Sequence, residues 1–327
     1  MTELFNELVS QFGTSCSTCG GASMHLVHTL SGVLLVMIAF LMVGFLRLKK
    51  KSVGQLSDRD HTVGSVPTEE EKAFLEKIEA GLENHEFKMY LQFIVDNTNK
   101  QIMSAEALAR WEDASGAIIP PGKFIPIMEK FGLIARLDYH MFEMACKKLE
   151  SWKNSDFSDF TISCNFTRIT ISEANFVTRL KEIADRYTFD RSKLLIEITE
   201  DAVEQNHDVA MRNITNAKEL GFRIALDDIG AGYTSLINLC EYPLDVVKID
   251  RDILLKTEFS RGKKLFLGII SLAHYLNLKV VCEGVETEAH NCLVSESDCD
   301  YIQGWYYSKA LPEPHAEAFA KEYMQVC

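Results

Sequence analysis

Short apolar segments alternate with longer amphipathic segments along most of the chain. Eight of the apolar segments have the length of strands and lie at 88–95, 103–111, 160–166, 194–200, 223–228, 245–250, 279–284 and 301–305. Helical periodicity falls between most of these and after the last, near 125–131, 136–153, 174–187, 208–220, 262–276, 287–296 and 314–324. Eight strands joined mostly by helical crossovers predict an α/β fold, a closed (β/α)8 TIM-like barrel, over residues 69–327.

The start of this domain departs from strict strand–helix alternation. Thr68 and Glu71 form the sequence signature of a capping box, which predicts that an amphipathic helix opens the domain. The first two strands are joined only by the short polar segment 97–100. A connection of that length makes a hairpin, so we expect the first strand of the barrel to be antiparallel.

The first 68 residues follow a different pattern. Residues 26–46 contain no formal charge, and a basic cluster at 47–51 follows them. A helix of 21 apolar residues spans about 30 Å of hydrocarbon. The basic cluster predicts that residues 1–25 lie outside and that the rest of the chain lies in the cytoplasm. A cleaved signal peptide is the alternative, but its basic flank would precede the apolar run. We therefore predict one N-terminal transmembrane helix, a basic flank and linker over 47–68, and a cytoplasmic domain over 69–327.

The nine cysteines are scattered, and only Cys16 and Cys19 lie close together. Both fall in the segment predicted to lie outside, where an oxidising environment permits a redox-sensitive disulfide. An incidental pair in a polar tail is the alternative, and a zinc site would need more ligands than this segment offers. We expect the other seven cysteines to be reduced and mostly buried.

Composition and charge narrow the classes of partner. The chain has 327 residues, 47% of them hydrophobic, and a formal net charge of −13. The excess of negative charge lies in residues 69–327, which carry 29 Lys and Arg against 43 Asp and Glu. Such a balance argues against a nucleic-acid duplex as partner. An anionic substrate requires metal ions or a local basic group that reverses the field at the site.

Candidate chemistry is concentrated where the predicted strands end. The strand 223–228 ends in two adjacent carboxylates, Asp227 and Asp228, and is followed by Gly230 and Gly232. Two adjacent carboxylates repel each other unless a cation lies between them, although a solvated surface turn is the commoner explanation for one such pair. The other predicted strands end in further polar residues, namely Glu106, Asn165, Glu197, Lys248 with Asp250, Glu283 and Gln303.

Any one of these residues alone is more often a paired polar residue of the core than a catalytic group. On a barrel, however, the carboxyl ends of all the strands meet at one face, where functional groups collect. A site rich in carboxylate and amide oxygens suits Mg²⁺ or Mn²⁺ better than zinc or copper. Two such ions flanking a phosphate support hydrolysis of a phosphodiester, and we expect that class of reaction.

Several of these motifs resemble one known family. The stretch 106–111, Glu-Ala-Leu-Ala-Arg-Trp, is similar to the signature of the EAL-domain cyclic di-GMP phosphodiesterases. The resemblance extends in one register to 195–200, 227–235, 248–250, 283–286 and 303–304, and covers roughly 75–313. No GGDEF (diguanylate cyclase) module is recognisable upstream. Members of this family hydrolyse cyclic di-GMP to linear pGpG, so the resemblance implies that activity and that substrate.

The resemblance also implies roles for individual residues. One metal ion would be held by Glu106, Asn165, Glu197 and Asp227, and Asp227 would bridge to a second ion bound by Asp228 and Glu283. The catalytic residues would be Lys248, which contacts the attacking water, Glu283 as general base, and Gln303 in support of the water. Arg110 would contact a substrate phosphate and Gln92 a guanine edge. Glu200 would anchor the loop 229–235, through which active members form homodimers. The cofactor would be Mg²⁺ or Mn²⁺, two ions per site, with Ca²⁺ inhibitory.

Some positions depart from the family pattern without removing a metal ligand. Phe93 stands where proline is usual, Ile229 where phenylalanine is usual, and Ala231 where threonine is common. Ile229 and Ala231 lie in the loop that is expected to couple dimerisation to the metal site, so they bear on rate and regulation.

Three hypotheses of function follow. The leading one is a membrane-anchored phosphodiesterase in the bacterial inner (cytoplasmic) membrane, with its N-terminus outside. The alternative is a catalytically silent receptor that binds cyclic di-GMP and signals to a partner protein. Silent members of such a family usually lack a metal ligand, and here the set is complete. A scaffold that uses the barrel only for contacts would leave the inward carboxylates unexplained.

Overall fold

The structure is a computed structural model that describes residues 67–199, 207–230 and 238–326. Its helices are α1 (Glu69–Glu83), α2 (Pro121–Lys130), α3 (Ile134–Trp152), α4 (Arg168–Ile171), α5 (Phe176–Ala184), α6 (His207–Glu219), α7 (Asn238–Glu241), α8 (Arg251–Leu255), α9 (Ser260–Tyr275), α10 (Glu288–Ser295) and α11 (Glu313–Val326). Its strands are β1 (Phe87–Asp96), β2 (Ile102–Glu112), β3 (Ile118–Ile119), β4 (Thr161–Phe166), β5 (Leu194–Thr199), β6 (Arg223–Ile229), β7 (Val246–Ile249), β8 (Lys279–Cys282), β9 (Tyr301–Gln303) and β10 (Leu311–Pro312).

Eight of these strands close into a barrel, as the sequence predicts. Strands β2, β4, β5, β6, β7, β8 and β9 are parallel neighbours in that order. Strand β1 closes the ring by pairing antiparallel with both β2 and β9. The antiparallel first strand is therefore confirmed, because the turn 97–100 is too short for a crossover. The short strands β3 and β10 extend the sheet beside β2 and β1 and were not predicted.

The predicted element boundaries need small corrections. The last strand ends at Gln303, two residues before the predicted end, because the chain turns at Gly304. Strand β7 ends at Ile249, so Asp250 does not lie on the strand beside Lys248. Its carboxylate instead caps α8 by accepting a hydrogen bond from the Asp252 amide. The capping box at Thr68 is confirmed, since both reciprocal bonds with Glu71 form.

The two faces of the barrel strands have different surroundings. Outward side chains such as Ile162, Leu226 and Val247 pack with the helices in one large apolar core. Ala105 and Ala107 of β2 are buried there, as their small size under helices predicts. Inward side chains form a second, smaller apolar cluster, which we call the lower layer and which consists of Ile94, Leu195, Ala225, Val246 and Val281, with Tyr301 packed against it.

Several predictions fall outside the described residues. These are the extracytoplasmic segment 1–25 with Cys16 and Cys19, the transmembrane helix 26–46, and the basic flank 47–51. Within residues 67–199, 207–230 and 238–326, no helix combines the length and apolar character that a membrane span requires. Of the six cysteines described, Cys146, Cys164, Cys282 and Cys299 are buried, whereas Cys240 and Cys292 are exposed.

Candidate active site

A ring of polar side chains lies directly above the lower layer of the barrel. Side chains on a strand return to the same face every second residue. Two residues beyond Leu195, Ala225, Val246, Val281 and Tyr301 come Glu197, Asp227, Lys248, Glu283 and Gln303. Glu106 and Asn165 reach the same level from β2 and β4, and their side chains are hydrogen-bonded to each other. We call these seven residues the polar layer. Period-two spacing thus brings the predicted residues together.

Lys248 is the centre of the polar layer. Its side chain is 1% exposed, and its ammonium contacts four carboxylates. The Nζ atom lies 2.7 Å from Glu283 Oε1, 3.1 Å from Asp227 Oδ1, 3.2 Å from Glu197 Oε2 and 3.4 Å from Glu106 Oε2. One ammonium therefore faces four carboxylates, and the layer carries an excess of negative charge.

The pKa values follow from this imbalance. Burial alone would lower the pKa of Lys248, but the surrounding carboxylates outweigh it and raise that pKa well above its usual value. Burial, reinforced by the charges of Asp227 and Glu106, raises the pKa of Glu283 to about 8 even though Lys248 opposes the shift. Burial likewise raises the pKa of Glu197 well above its usual value. Glu283 and Glu197 therefore hold protons more tightly than exposed carboxylates do, mainly because they are buried.

Glu106 is the carboxylate that the protein neutralises best. Its burial is opposed by Lys248 and by hydrogen bonds from Gln303 and Asn165, so its pKa lies below the usual value. The Gln303 amide nitrogen donates at 2.6 Å and the Asn165 amide nitrogen at 2.7 Å. Gln303 Oε1 is buried and has no hydrogen-bond partner among the described residues. That acceptor is the kind of group that a bound water would satisfy.

The end of β6 places two adjacent carboxylates at one site. In a regular strand, Asp227 and Asp228 would point to opposite faces of the sheet. The register with β7 shifts between Leu226 and Ile229, and Asp228 has a left-handed backbone with φ of 60°. Both features re-aim the side chain of Asp228, and left-handed non-glycine residues of this kind are concentrated at functional sites. Burial, with the charges of Asp227 and Asp250, raises the pKa of Asp228 to about 6.

The carboxylates form two groups that share one member. Glu106, Glu197 and Asp227 each offer an oxygen within 4.8 Å of the others, and so do Asp227, Asp228 and Glu283. This is the division between two metal sites that the resemblance implies, with Asp227 common to both. Hard divalent cations prefer such all-oxygen donor sets, so the residues fit Mg²⁺ or Mn²⁺.

An open cleft of about 390 Å³ leads to the polar layer. Glu106, Asp227, Glu283 and Gln303 form its floor, and Gln92 and Leu108 line one part of its wall. Gly284, with φ of 68°, lies at the rim, where a Cβ atom would come within 2.4 Å of the Arg251 side chain. The glycine therefore lets Arg251 lie across the rim, where it pairs with Glu286 at 2.8 Å.

Two predicted site residues, Gln92 and Arg110, lie apart from the polar layer. Gln92 lines the cleft, and its amide nitrogen donates to Ser308 O at 3.1 Å. Arg110 is half-buried further along β2, where its guanidinium donates to Ala109 O and lies 5.7 Å from the centroid of the Tyr90 ring. Arg110 is not among the residues that line the cleft. Glu200 and most of the loop that it is expected to anchor lie outside the described residues.

Sequence reasoning gave no role to three residues of the cleft wall. All three line the cleft: Arg251 and Trp305 each directly follow a recognised motif, and Glu286 is the last residue of the motif 283–286. Their position in or beside these motifs was the signal in the sequence that could have identified them. It was insufficient because each of these side chains lies beyond the strand end, where period-two spacing no longer predicts direction.

A closed α/β barrel with buried carboxylates gathered at the carboxyl ends of its strands has the architecture of a barrel enzyme. The EAL domain profile matches residues 75–310, and the chain belongs to the EAL domain family.

Relatives in the family carry names that state an activity. The chain is 30% identical over 249 residues to the cyclic di-GMP phosphodiesterase NbdA of Pseudomonas aeruginosa, covering 76% of this chain and 32% of NbdA. It is 29% identical over 245 residues to the bifunctional diguanylate cyclase/cyclic di-GMP phosphodiesterase MucR of the same organism, covering 75% of this chain and 36% of MucR. The chain thus spans about a third of the length of these curated relatives.

A solved structure supports the same assignment. The phosphodiesterase of MucR from P. aeruginosa in complex with cyclic di-GMP superposes with a TM-score of 0.70 at 29% identity. The match covers 74% of this chain and 98% of that one.

Proposed function

We propose that this protein hydrolyses cyclic di-GMP to linear pGpG. The observation that carries the proposal is the pair of carboxylate groups that share Asp227 at the base of an open cleft. Membership of the EAL domain family and the phosphodiesterase names of its relatives give the substrate class. The complete ligand set favours an enzyme over a silent receptor, because both groups of donors are intact.

The proposed metal sites divide among the residues already described. Glu106, Asn165, Glu197 and Asp227 would hold one Mg²⁺ or Mn²⁺, and Asp227, Asp228 and Glu283 the other. Such ions would polarise the phosphate oxygens and lower the pKa of the attacking water.

The side chains of the protein then have distinct tasks. Lys248 is buried and lies behind the cleft floor, in contact with Glu283 and Asp227 of that floor. From there its ammonium would orient the attacking water. Glu283 lies 2.7 Å from that ammonium and accepts the proton of the water. Gln303 holds Glu106 through one amide atom and offers its free Oε1 to the water network.

The direct test is a product assay with the full-length protein. Cyclic di-GMP is incubated with Mg²⁺, with Mn²⁺, with Ca²⁺ and with a chelator, and products are separated by chromatography. We expect pGpG with Mg²⁺ or Mn²⁺ and none with the chelator. Ca²⁺ prefers longer bonds and more ligands, so we expect binding without cleavage. Binding of cyclic di-GMP without turnover under every metal condition would establish the silent receptor instead.

We also propose that the chain is anchored in the bacterial inner membrane with residues 1–25 outside. The charge-free segment 26–46 and the basic cluster 47–51 support this topology. A reporter fused after Cys327 should be active only as a cytoplasmic type, and an impermeant thiol reagent should label Cys16. Labelling from the cytoplasmic side alone would reverse the orientation.

Homodimerisation through the loop 229–235 is a further proposal. A membrane anchor raises the effective concentration of the domains, so that a weak interface suffices. Glu200→Ala should lower turnover and metal affinity together, although Glu200 is not a ligand in this scheme. Unchanged metal affinity in that variant would remove the proposed coupling between the loop and the site.

A redox link through Cys16 and Cys19 is tested with the full-length protein in membranes. The link predicts that reductant changes the turnover rate of the parent protein and leaves that of the Cys16→Ser, Cys19→Ser variant unchanged.

A further inference from the structure

Trp305 is exposed in the wall of the catalytic cleft. The chain contains three tryptophans, and Trp111 and Trp152 are each 2% exposed in the core. Trp305 is 61% exposed and lines the cleft that leads to the polar layer. A large apolar side chain left in water at a cleft rim forgoes the stabilisation of burial, which is understandable where a ligand covers it.

The backbone holds this indole in a fixed place. Gly304 lies so close to the backbone of Val285 that a Cβ atom would approach Val285 O to 2.1 Å. The Tyr306 amide donates to Val285 O at 2.9 Å, and the Ser308 amide donates to Gly304 O at 3.0 Å. The turn that carries Trp305 is therefore tied to the segment that follows β8, so the indole is attached to a preorganised backbone.

The side chains next to Trp305 in the sequence have other partners and do not cover the indole. The hydroxyl of Tyr306 is hydrogen-bonded to Glu288 and that of Tyr307 to Asn291, so both neighbouring rings are tied to α10. Lys309 places its ammonium 5.3 Å from the centroid of the Trp305 ring. A cation at that distance is attracted to the ring face and helps to fix the ring orientation.

We propose that Trp305 is a stacking platform for one guanine base of the substrate. The inference rests on the proposed function, since it assumes that a dinucleotide phosphodiester is bound at the polar layer. Each phosphate of such a substrate is joined to its bases through ribose alone, so a phosphate on the cleft floor leaves a base at the rim. A flat π surface held rigidly at that rim suits an aromatic base, and Lys309 restricts the ring to that orientation.

The distribution of tryptophans supplies a direct readout. Guanine stacked on an indole quenches its fluorescence, and Trp305 is the exposed member of the three tryptophans. Cyclic di-GMP is added to the full-length protein in Ca²⁺, while calorimetry in parallel records how much ligand is bound. We expect saturable quenching in the parent protein and none in Trp305→Phe, whose remaining tryptophans are buried.

Kinetics give a second, independent measurement. Stacking of a base on an aromatic side chain contributes to binding whichever base is present. Its loss typically weakens binding roughly ten- to a hundredfold. Trp305→Ala should raise KM for cyclic di-GMP by this factor and change kcat much less, because stacking holds the ground state and the transition state alike. Trp305→Phe should retain most of the affinity, and Lys309→Met should raise KM only a few-fold. Tyr275→Ala, at a residue 84% exposed on α9, is the control and should behave as the parent protein.

The outcomes separate this inference from the proposed function. Ligand binding with identical emission changes in the parent and in Trp305→Phe would overturn the stacking platform and leave the phosphodiesterase intact. An unchanged KM in Trp305→Ala would do the same. A parent protein that neither binds nor cleaves cyclic di-GMP would overturn the proposed function and this inference with it.

Discussion

Two buried carboxylate sites of this barrel are built in opposite ways. Asp138 of α3 is 6% exposed, and its Oδ2 atom accepts three hydrogen bonds from neutral donors. These come from the Thr167 amide at 3.0 Å, the Thr167 hydroxyl at 2.9 Å and the Thr170 hydroxyl at 2.6 Å. The carboxylate ties α3 to the start of α4.

The polar layer has the reverse arrangement. Glu106, Glu197, Asp227 and Glu283 share the single ammonium of Lys248. Of the four, Glu106 has further side-chain donors from Gln303 and Asn165. A structural carboxylate brings its own donors, whereas the carboxylates of the polar layer are left short of positive charge. Their arrangement fits the binding of divalent cations, which the proposed metal sites would supply.

The largest effect should come from removing the shared ammonium. Lys248→Met leaves four carboxylates around an apolar side chain, and breaking a buried ion pair in this way commonly costs about 3–5 kcal/mol of stability. We expect this loss in chelator at neutral pH and partial recovery in saturating Mg²⁺. Urea unfolding followed by the emission of the buried Trp111 and Trp152 measures it. Equal losses with and without Mg²⁺ would show that added cations do not compensate the layer.

The second largest effect should be the loss of turnover when one carboxylate of the polar layer loses its charge. Glu106→Gln or Asp227→Asn removes one negative charge from the proposed metal sites, so turnover should fall on the order of 10²-fold or more. Burial raises the pKa of Asp227, so Asp227→Asn removes an unfavourable charge and its stability in chelator should not fall. The pKa of Glu106 lies below its usual value, so Glu106→Gln should lose some stability. Product chromatography in saturating Mg²⁺ and thermal unfolding measure the two quantities. Near-parental turnover in either variant would contradict the assignment of ligands.

The third prediction concerns pH and the isolated carboxylate. Burial raises the pKa of Asp138 to about 6 from an ordinary value of 3.8, and the hydrogen bonds from Thr170 and Thr167 only partly oppose the shift. The folded state therefore holds the proton more tightly than the unfolded state between these values. The stability that this group contributes is full below about pH 4 and is lost as the pH rises to about 6, by about 2–3 kcal/mol.

Asp138→Asn cannot titrate and isolates this contribution. The difference in unfolding free energy between the parent protein and the variant should shift in favour of the variant as the pH rises from 4 to 7. Other titrating groups are common to both proteins and cancel in the difference. A difference that stays constant with pH would mean that Asp138 is ionised throughout the range.

The smallest effect tests whether Asp138 is purely structural. Asp138→Ala leaves the three donors of Thr167 and Thr170 without their acceptor, and unsatisfied buried groups of this kind cost about 1–3 kcal/mol. Metal affinity and KM should stay at the parental values, since Asp138 belongs to neither carboxylate group. A change in the Mg²⁺ dependence of turnover would show that Asp138 is coupled to the polar layer and is not purely structural.

Period-two spacing is the reason that so much of the site could be predicted from the sequence. Lys248, Glu197 and Glu283 lie in or directly after apolar strand segments, so their direction follows from their neighbours. The barrel and its antiparallel first strand follow similarly from the number of strands and the length of the first turn. These are local properties, and a single sequence carries them.

The features that hydrophobic alternation does not predict depend on departures from regular geometry. Asp228 reaches the site because its backbone is left-handed and the β6–β7 register shifts, and neither is encoded by hydrophobic alternation. Asp250 lies outside the strand in which it was predicted, because its carboxylate caps α8. Trp305 lies in a turn defined by the contact of Gly304 with Val285, two segments that come together only in the folded barrel.

The position of β1 determines when the barrel can close. Tyr90 and Leu91 pair with Pro312 and Leu311, so the first strand of the domain meets a partner more than 200 residues later. Contacts of such long sequence separation form late, because the intervening chain must first be ordered. On the ribosome, β1 and β2 can pair as a hairpin early, but β1 waits for β9 and β10 until almost the whole domain has emerged. A chain released before Leu311 therefore retains an open edge and lacks part of the seam that closes the barrel.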